Sequence, residues 1–302
     1  SILLFSVVAA IAAAVIIVPL TSAKGEEEKG KSLVVPALLF TAVIGAIVIA
    51  LAYYFLNIDR NLTSLWPVLA VAAGLGALFS KGLEQKAKSV LFGATLLFAA
   101  YLFAAPLLNA DEKFKMVEMD EEVEIEAFDE TQTPASVPPK FARNKMKKAF
   151  GQVPNTSYYE LGQLQVQKVN EEFVYIAPVE FSGFFKWWNA DVTPGYFTMS
   201  ATDASANPKF IQSEMSYTPS SYFNKNIERH MRLENPEAIF YGEVQLEVDD
   251  EGKPYYIRSY GDFVTARNGF DVKGIVAIDP SSGESITYKL EDVPAFIDGA
   301  VS

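Results

Sequence analysis

The sequence predicts a two-part chain: four transmembrane helices, then an α+β domain built from two helix-on-antiparallel-sheet repeats. Three observations carry that prediction. Four apolar runs, Ile2–Leu20, Leu33–Leu56, Leu65–Phe79 and Val90–Leu108, contain no Asp, Glu, Lys, Arg or His. The remaining two thirds of the chain is mixed in composition and collects most of the acidic residues behind a net charge of −12. Within it, a helix, a proline, an alternating strand and an acidic turn recur, the helix stripe and a Tyr–Ile pair 81 residues apart.

Each apolar run approaches the roughly 20 residues a helix needs to cross about 30 Å of hydrocarbon. Helices satisfy their own backbone there, and soluble core helices are seldom apolar on every face for so long. The third run is the shortest. The first is expected to remain on the chain, because no basic segment precedes it and three further spans follow. Small residues, Ala9, Ala10, Ala13 and Ala14 in run one, Gly45 in run two, and Gly74 and Gly76 in run three, suit close helix contact. No ionisable residue lies within a run, which argues against an ion-coupled transporter or proton relay.

The short connecting segments predict orientation. Lys24, Lys29 and Lys31 lie between runs one and two, and Lys81, Lys86 and Lys88 between runs three and four. The opposite side has Arg60, with Lys113 and Lys115 after run four. The positive-inside rule puts the six-lysine side in the cytoplasm, so both termini face outward and the C-terminal domain is extracytoplasmic, on a multi-pass protein of the plasma membrane.

Residues 1–108 are thus the membrane region and 109–139 a connector. Its first part, Asp111–Glu130, is compatible with a strand, a continuation of the fourth helix or a spacer. Its second part, Thr131–Pro139 (TQTPASVPP), reads as a stiff linker. The first repeat is assigned to 140–219 and the second to 220–302. Ala142, Met146, Ala149 and Phe150 form one helical stripe, and Phe223, Ile227, His230 and Met231 form the other. Pro154 and Pro236 follow the helices. Alternating strands come next, at Leu164 and Val166 and at Leu246 and Val248, then the pairs Tyr175–Ile176 and Tyr256–Ile257. Each copy ends a strand on an acidic turn, Asp203–Asn207 and Asp279–Gly283, where Asp accepts backbone hydrogen bonds and Asn or Gly takes the left-handed exit.

The segments Lys253-Pro254-Tyr255-Tyr256-Ile257 and Val276-Ala277-Ile278-Asp279-Pro280-Ser281-Ser282-Gly283-Glu284 resemble the PepSY family of small extracytoplasmic modules, a helix packed on an antiparallel sheet. The first copy departs from the pattern with Asn207 in place of Gly and an aromatic insertion around Trp187. The resemblance implies a binding or regulatory module of the cell envelope. A cystatin-like helix on a sheet fits the same residues without that relationship.

Catalytic chemistry has little to draw on. The chain has no cysteine and one histidine, so a thiolate nucleophile and a His-rich metal site are excluded. His230 sits on a predicted apolar helix face and reads as structural. Asp249, Asp250, Glu251 and Gly252 read as a hairpin turn without the spaced ligands of a calcium loop. No phosphate loop occurs, and the acidic balance excludes a nucleic-acid partner; no cofactor or metal is expected. The candidate binding residues are Phe181, Phe184, Phe185, Trp187 and Trp188, for which sheet core, partner surface and lipid headgroups are all open, core being the first expectation. The functional expectation is a non-catalytic binding or scaffolding protein engaging another membrane or envelope protein and the lipid bilayer. The alternatives are an auxiliary subunit of a larger membrane complex or transporter, and an envelope enzyme using carboxylates.

Overall fold

The computed structural model describes residues 2–20, 27–58, 63–124, 136–264 and 269–297. The chain divides into two compact units, Ser1–Val123 and Glu124–Ser302.

The first unit is helical: α1 (Ile2–Ile17), α2 (Glu27–Phe55), α3 (Trp66–Phe79) and α4 (Leu83–Glu124). Two stretches, Leu33–Phe55 and Leu83–Ala104, have the length and composition to cross a bilayer. At 16 and 14 residues, α1 and α3 rise about 24 and 21 Å, short of the hydrocarbon thickness by themselves. Helix α4 does not stop at Leu108. The helical option for Asp111–Glu130 holds through Glu124, no Gly or Pro follows Pro106 to interrupt it, and 125–135 lie outside the described residues. Lys29, Lys31, Lys86 and Lys88, read as loop residues, belong to the first turns of α2 and α4; Lys24 and Arg60 lie outside the described residues.

Small residues let these helices approach. Ala9, Ala10, Ala13 and Ala14 are all buried. A Cβ on Gly45 would lie 3.4 Å from that of Ala10, and one on Gly76 would collide with the Ile16 carbonyl. At one end, Lys88 Nζ reaches Glu84 Oε1 (2.9 Å), Ser80 Oγ (2.8 Å) and the Val18 carbonyl (3.3 Å), while Glu84 accepts from the Leu20 amide. That cluster joins the end of α1, the end of α3 and the start of α4. Toward the other end, Phe5 of α1 stacks edge-on to Tyr53 of α2, Tyr53 donates to the Ser64 carbonyl, and Trp66 of α3 meets Phe103 of α4. The four helices therefore alternate in direction. The remaining faces of α2 over residues 33–55 and of α4 over residues 90–104 are apolar and exposed, Leu39, Phe40, Val48, Leu97 and Phe103 among them.

The second unit is mixed α+β with two antiparallel sheets. Helix α5 (Pro139–Lys148) precedes β1 (Tyr159–Leu161), β2 (Gln165–Val169) and β3 (Glu172–Phe181). Then come α6 (Phe184–Ala190), β4 (Thr193–Ser200) and β5 (Lys209–Met215). β1 and β2 both pair with β3, on whose other side β4 and β5 follow. Helix α7 (Ile227–Glu234) then leads into a meander of β6 (Ile239–Val248), β7 (Pro254–Val264), β8 (Gly269–Ile278) and β9 (Ser285–Lys289).

The first sheet is covered on both faces, which is why β3 is buried over nearly its whole length. Tyr175, Ala177, Val179, Phe197 and Met199 pack under Ala142 and Met146 of α5. On the opposite face, Ile176, Tyr196 and Met215 meet Ile227 and Met231 of α7 and the Leu246, Val248 and Tyr256 side of the second sheet. The outer face of that second sheet, Ile257, Ile275 and Ala277, lies under Val293, Phe296 and Ile297. Both Tyr–Ile pairs thus place one residue on each face of their sheet, as alternation requires.

Three sequence expectations change here. The strand containing Val166 runs in the opposite phase: Val166 is 46% exposed and Gln167 only 3%. The edge of β6 demands this, because Gln165 Oε1 accepts from the Leu246 amide and Gln167 takes both the amide and the carbonyl of Val248, all at 2.7–2.9 Å. Phe223 is not part of the α7 stripe, since Asn226 caps the helix by accepting from the Arg229 amide and leaves Phe223 in the preceding 3-10 turn. And the linker is not free to its end. Val137 is buried, its amide donating to the Ala201 carbonyl and its own carbonyl accepting from the Tyr175 hydroxyl.

Both acidic turns are built alike, Ser205 and Ser281 each donating through amide and hydroxyl to the Asp two residues earlier. Gly283 takes the left-handed exit (φ +81°), but Asn207 does not, because eight residues separate β4 from β5 and the turn need not close tightly.

Two stability predictions follow from these contacts. Gln167→Ala leaves the Val248 amide and carbonyl unpaired and is expected to cost roughly 2–4 kcal/mol in urea unfolding followed by tryptophan emission, against under about 1 kcal/mol for Val166→Ala. Gly76→Ala gains about 1 kcal/mol of helix propensity but forces α3 off α1, at about 1–3 kcal/mol, so the thermal midpoint of the detergent-solubilised chain should fall.

Candidate functional site

The five aromatic residues singled out in the sequence separate in the structure. Phe181 belongs to β3, is 3% exposed, and packs against Tyr159 with ring centroids 5.8 Å apart. It is sheet core. The other four lie on α6, a helix of seven residues between Gly183 and Asp191, the latter in the left-handed conformation (φ +66°). A helix that short presents successive residues on different sides. Trp187 turns inward at 8% exposure, Phe184 is half-buried, and Phe185 and Trp188 stand out at 74% and 66%.

Phe184 is the hub of this cluster. Its ring lies 5.5–6.1 Å from Phe185, Trp187 and Trp188, and 5.0 and 6.4 Å from Tyr222 and Phe223. The last two were missed as site residues, because Phe223 had been read as the first member of the α7 stripe. The adjacent Tyr222–Phe223 doublet behind Pro219-Ser220-Ser221 was the available signal. Phe223 has φ +53°, a conformation costly for a bulky side chain, and there it keeps its ring against Phe184 and Trp187.

The surroundings are distinctive in two ways. The indole Nε1 of Trp187 is buried and has no acceptor among the described residues. No acidic residue occurs from Phe181 to Ala190 or from Met215 to Ile227, in a chain of net charge −12. The cations present are Lys186, whose ammonium lies 5.0 Å above the Tyr158 ring, and Lys225, 4.4 Å above Tyr217.

A second feature was not legible in the sequence. Between the two sheets lies a cleft of about 240 Å³ whose lining includes Glu160, Gln165, Pro178, Glu180, Ser220 and Tyr256. Glu180 is buried, accepting from the Ser220 hydroxyl and from the Tyr256 hydroxyl (3.4 Å). Burial pushes its carboxyl up to about 7, against hydrogen bonds from Ser220, Tyr256 and Thr218 that favour the charged form. The same burial, with the Glu180 charge beside it, holds the Tyr256 hydroxyl well above its ordinary value. Glu160 is the cross-strand partner of Glu180. Gly162 closes over the pair, since a Cβ there would fall 2.7 Å from Glu180 Cγ.

The remaining candidates are structural. His230 is buried on α7, its Nε2 2.6 Å from the Gly283 carbonyl and its ring 4.3 Å from that of Tyr217. Asp249 spends its carboxylate on the β6–β7 turn, accepting from the Glu251 and Lys253 amides, with Gly252 at φ +84°. Among the described residues, no three His, Asp or Glu side chains are grouped to hold a metal ion. No family model matches the chain, and neither a curated protein nor a solved structure matches it significantly.

Glu180 sets a pH dependence. Its ordinary value is 4.5, so between that pH and about 7 the folded unit retains a proton that the unfolded chain has released. Stability therefore falls as pH rises through this window, by a total on the order of 3 kcal/mol, and levels off above it. Urea unfolding across pH 4–8 should show this slope, and Glu180→Gln should flatten it.

Proposed function

We propose that this chain is a multi-pass membrane protein whose four N-terminal helices anchor an extracytoplasmic, non-catalytic binding or scaffolding domain. The observation that carries this reading is the Leu33–Phe55 helix, 23 uncharged residues of which only Ile49 and Tyr53 are buried by the rest of the chain. Water-facing helices do not leave such a surface uncovered, and hydrocarbon is its natural solvent. Helices α1 and α3 are short, yet small residues seat α1 beside α2 and α3 beside α1, and Val18–Leu20 and Leu65 extend their apolar character at the ends.

The orientation rests on lysine. The end at which α1 and α3 finish and α4 begins carries Lys81, Lys86 and Lys88, and the α1–α2 connection adds Lys24, Lys29 and Lys31, which makes it the cytoplasmic end by the positive-inside rule. The second unit then lies outside. Its two halves, each a helix followed by an antiparallel sheet with an Asp-x-Ser turn, are read as a duplicated PepSY-like module. The Tyr–Ile pairs and the Gln165 and Gln167 contacts to residues 81 positions onward support the duplication. Its partner is another membrane or envelope protein.

Because the chain lacks cysteine, single cysteines test the topology directly. Ala204→Cys, on an exposed turn, should react with a membrane-impermeant maleimide in intact cells, and Lys81→Cys only after permeabilisation. The reverse pattern would discard the orientation, and labelling of both in a soluble fraction would discard the anchor.

A further inference from the structure

We infer that the aromatic surface of α6 and the Tyr222–Phe223 turn rests on the headgroup region of an anionic bilayer. The inference rests on the membrane-anchored reading above and adds the contact by which the second unit meets the lipid. Three observations carry it.

The first is the chemistry of the surface. Phe184, Phe185, Trp187, Trp188, Tyr222 and Phe223 are in mutual ring contact around one hub, and four of them are more than a third exposed. Trp, Tyr and Phe gather at the boundary between hydrocarbon and water, where a ring finds apolar contact and a polar tip finds oxygen. The second is charge. In a chain of net charge −12, residues 181–190 and 215–227 hold no carboxylate, Asp191 following as the cap of α6, and they contribute Lys186 and Lys225. Each is held over a tyrosine ring, which leaves an ammonium beside the aromatics to meet phosphate oxygens. The third is connectivity, since a chain containing bilayer-length helices brings a bilayer within reach of its second unit.

A protein partner is the rival occupant. A surface with neither Arg nor carboxylate in its two segments offers few directional contacts to a protein, whereas a fluid layer of headgroups demands none.

The full-length chain provides its own reporter. It holds three tryptophans, and Trp66→Phe leaves only Trp187 and Trp188. This variant, reconstituted into vesicles of equal parts phosphatidylcholine and phosphatidylglycerol, should lose most of its emission when the acyl chains are brominated near the glycerol, and should resist iodide. Phe185→Glu, at the most exposed ring of the cluster, should restore emission in brominated vesicles. Lys186→Glu with Lys225→Glu should do so in the anionic vesicles while changing little in phosphatidylcholine alone. Emission indifferent to bromine in protein that floats with the vesicles would overturn the inference and leave the anchor standing. Failure to float would instead overturn the anchor. Iodide protection that disappears on dilution of protein in lipid, without bromine quenching, would assign the surface to a second copy of the chain and equally overturn the lipid contact.

Discussion

The arrangement of the second unit depends on how one strand edge is closed. Strand β6 borders its sheet, and the amides of Leu246 and Val248 point away from β7 with no strand beside them. Left unpaired in the interior, each would cost about 1–3 kcal/mol. Gln165 and Gln167 supply the missing partners from side chains, and Gln167 also reaches the Phe296 carbonyl. An amide side chain carries the same donor and acceptor pair as a peptide group, so two glutamines two residues apart on β2 continue the ladder that a further strand would have made. The sheets are thereby joined without merging into one.

From that junction the cores follow. Holding β6 against the face of the first sheet encloses Ile176, Tyr196 and Met215 with Leu246, Val248 and Tyr256, and α7 closes the remaining side with Ile227 and Met231. It also traps Glu180, which shares the face of Ile176 along β3 and finds itself between Ser220 and Tyr256 instead of in water. The raised carboxyl is thus a by-product of packing two sheets across a strand that carries one glutamate among its buried last residues. Whether the cleft holds a proton or a charge bears directly on the interface between the sheets.

The helical unit obeys a different rule. Its contacts are made by what is absent from the side chains: Ala10 against Gly45, and Gly76 against the Ile16 carbonyl. Van der Waals contact of this kind needs backbones close together, and larger residues would lose it. Polar pairing appears where the helices end, with Lys88 and Glu84 tying the termini of α1 and α3 to α4. The sequence placed Lys88 in a loop on account of its charge. It instead lies buried inside the helix, because a salt bridge and two oxygen acceptors compensate for its removal from water.

The apolar runs, the small residues in them, the two helix stripes at Ala142–Met146 and Ile227–Met231, and both Asp-x-Ser turns were determined by the sequence alone. Each depends on residues within a few positions of one another, and local periodicity expresses them fully. The phase of β2, the position of Phe223, the burial of Glu180 and the division of the aromatic cluster were decided by tertiary structure. Gln167 turns inward for a strand 81 residues away, and Glu180 is enclosed by residues 40 and 76 positions onward. Phe181 and Phe185 are four residues apart in one aromatic segment, yet the first fills a sheet and the second faces outward. What separates them is the end of β3 and the turn at Gly183, and only the surfaces brought against each side determine which ring is covered.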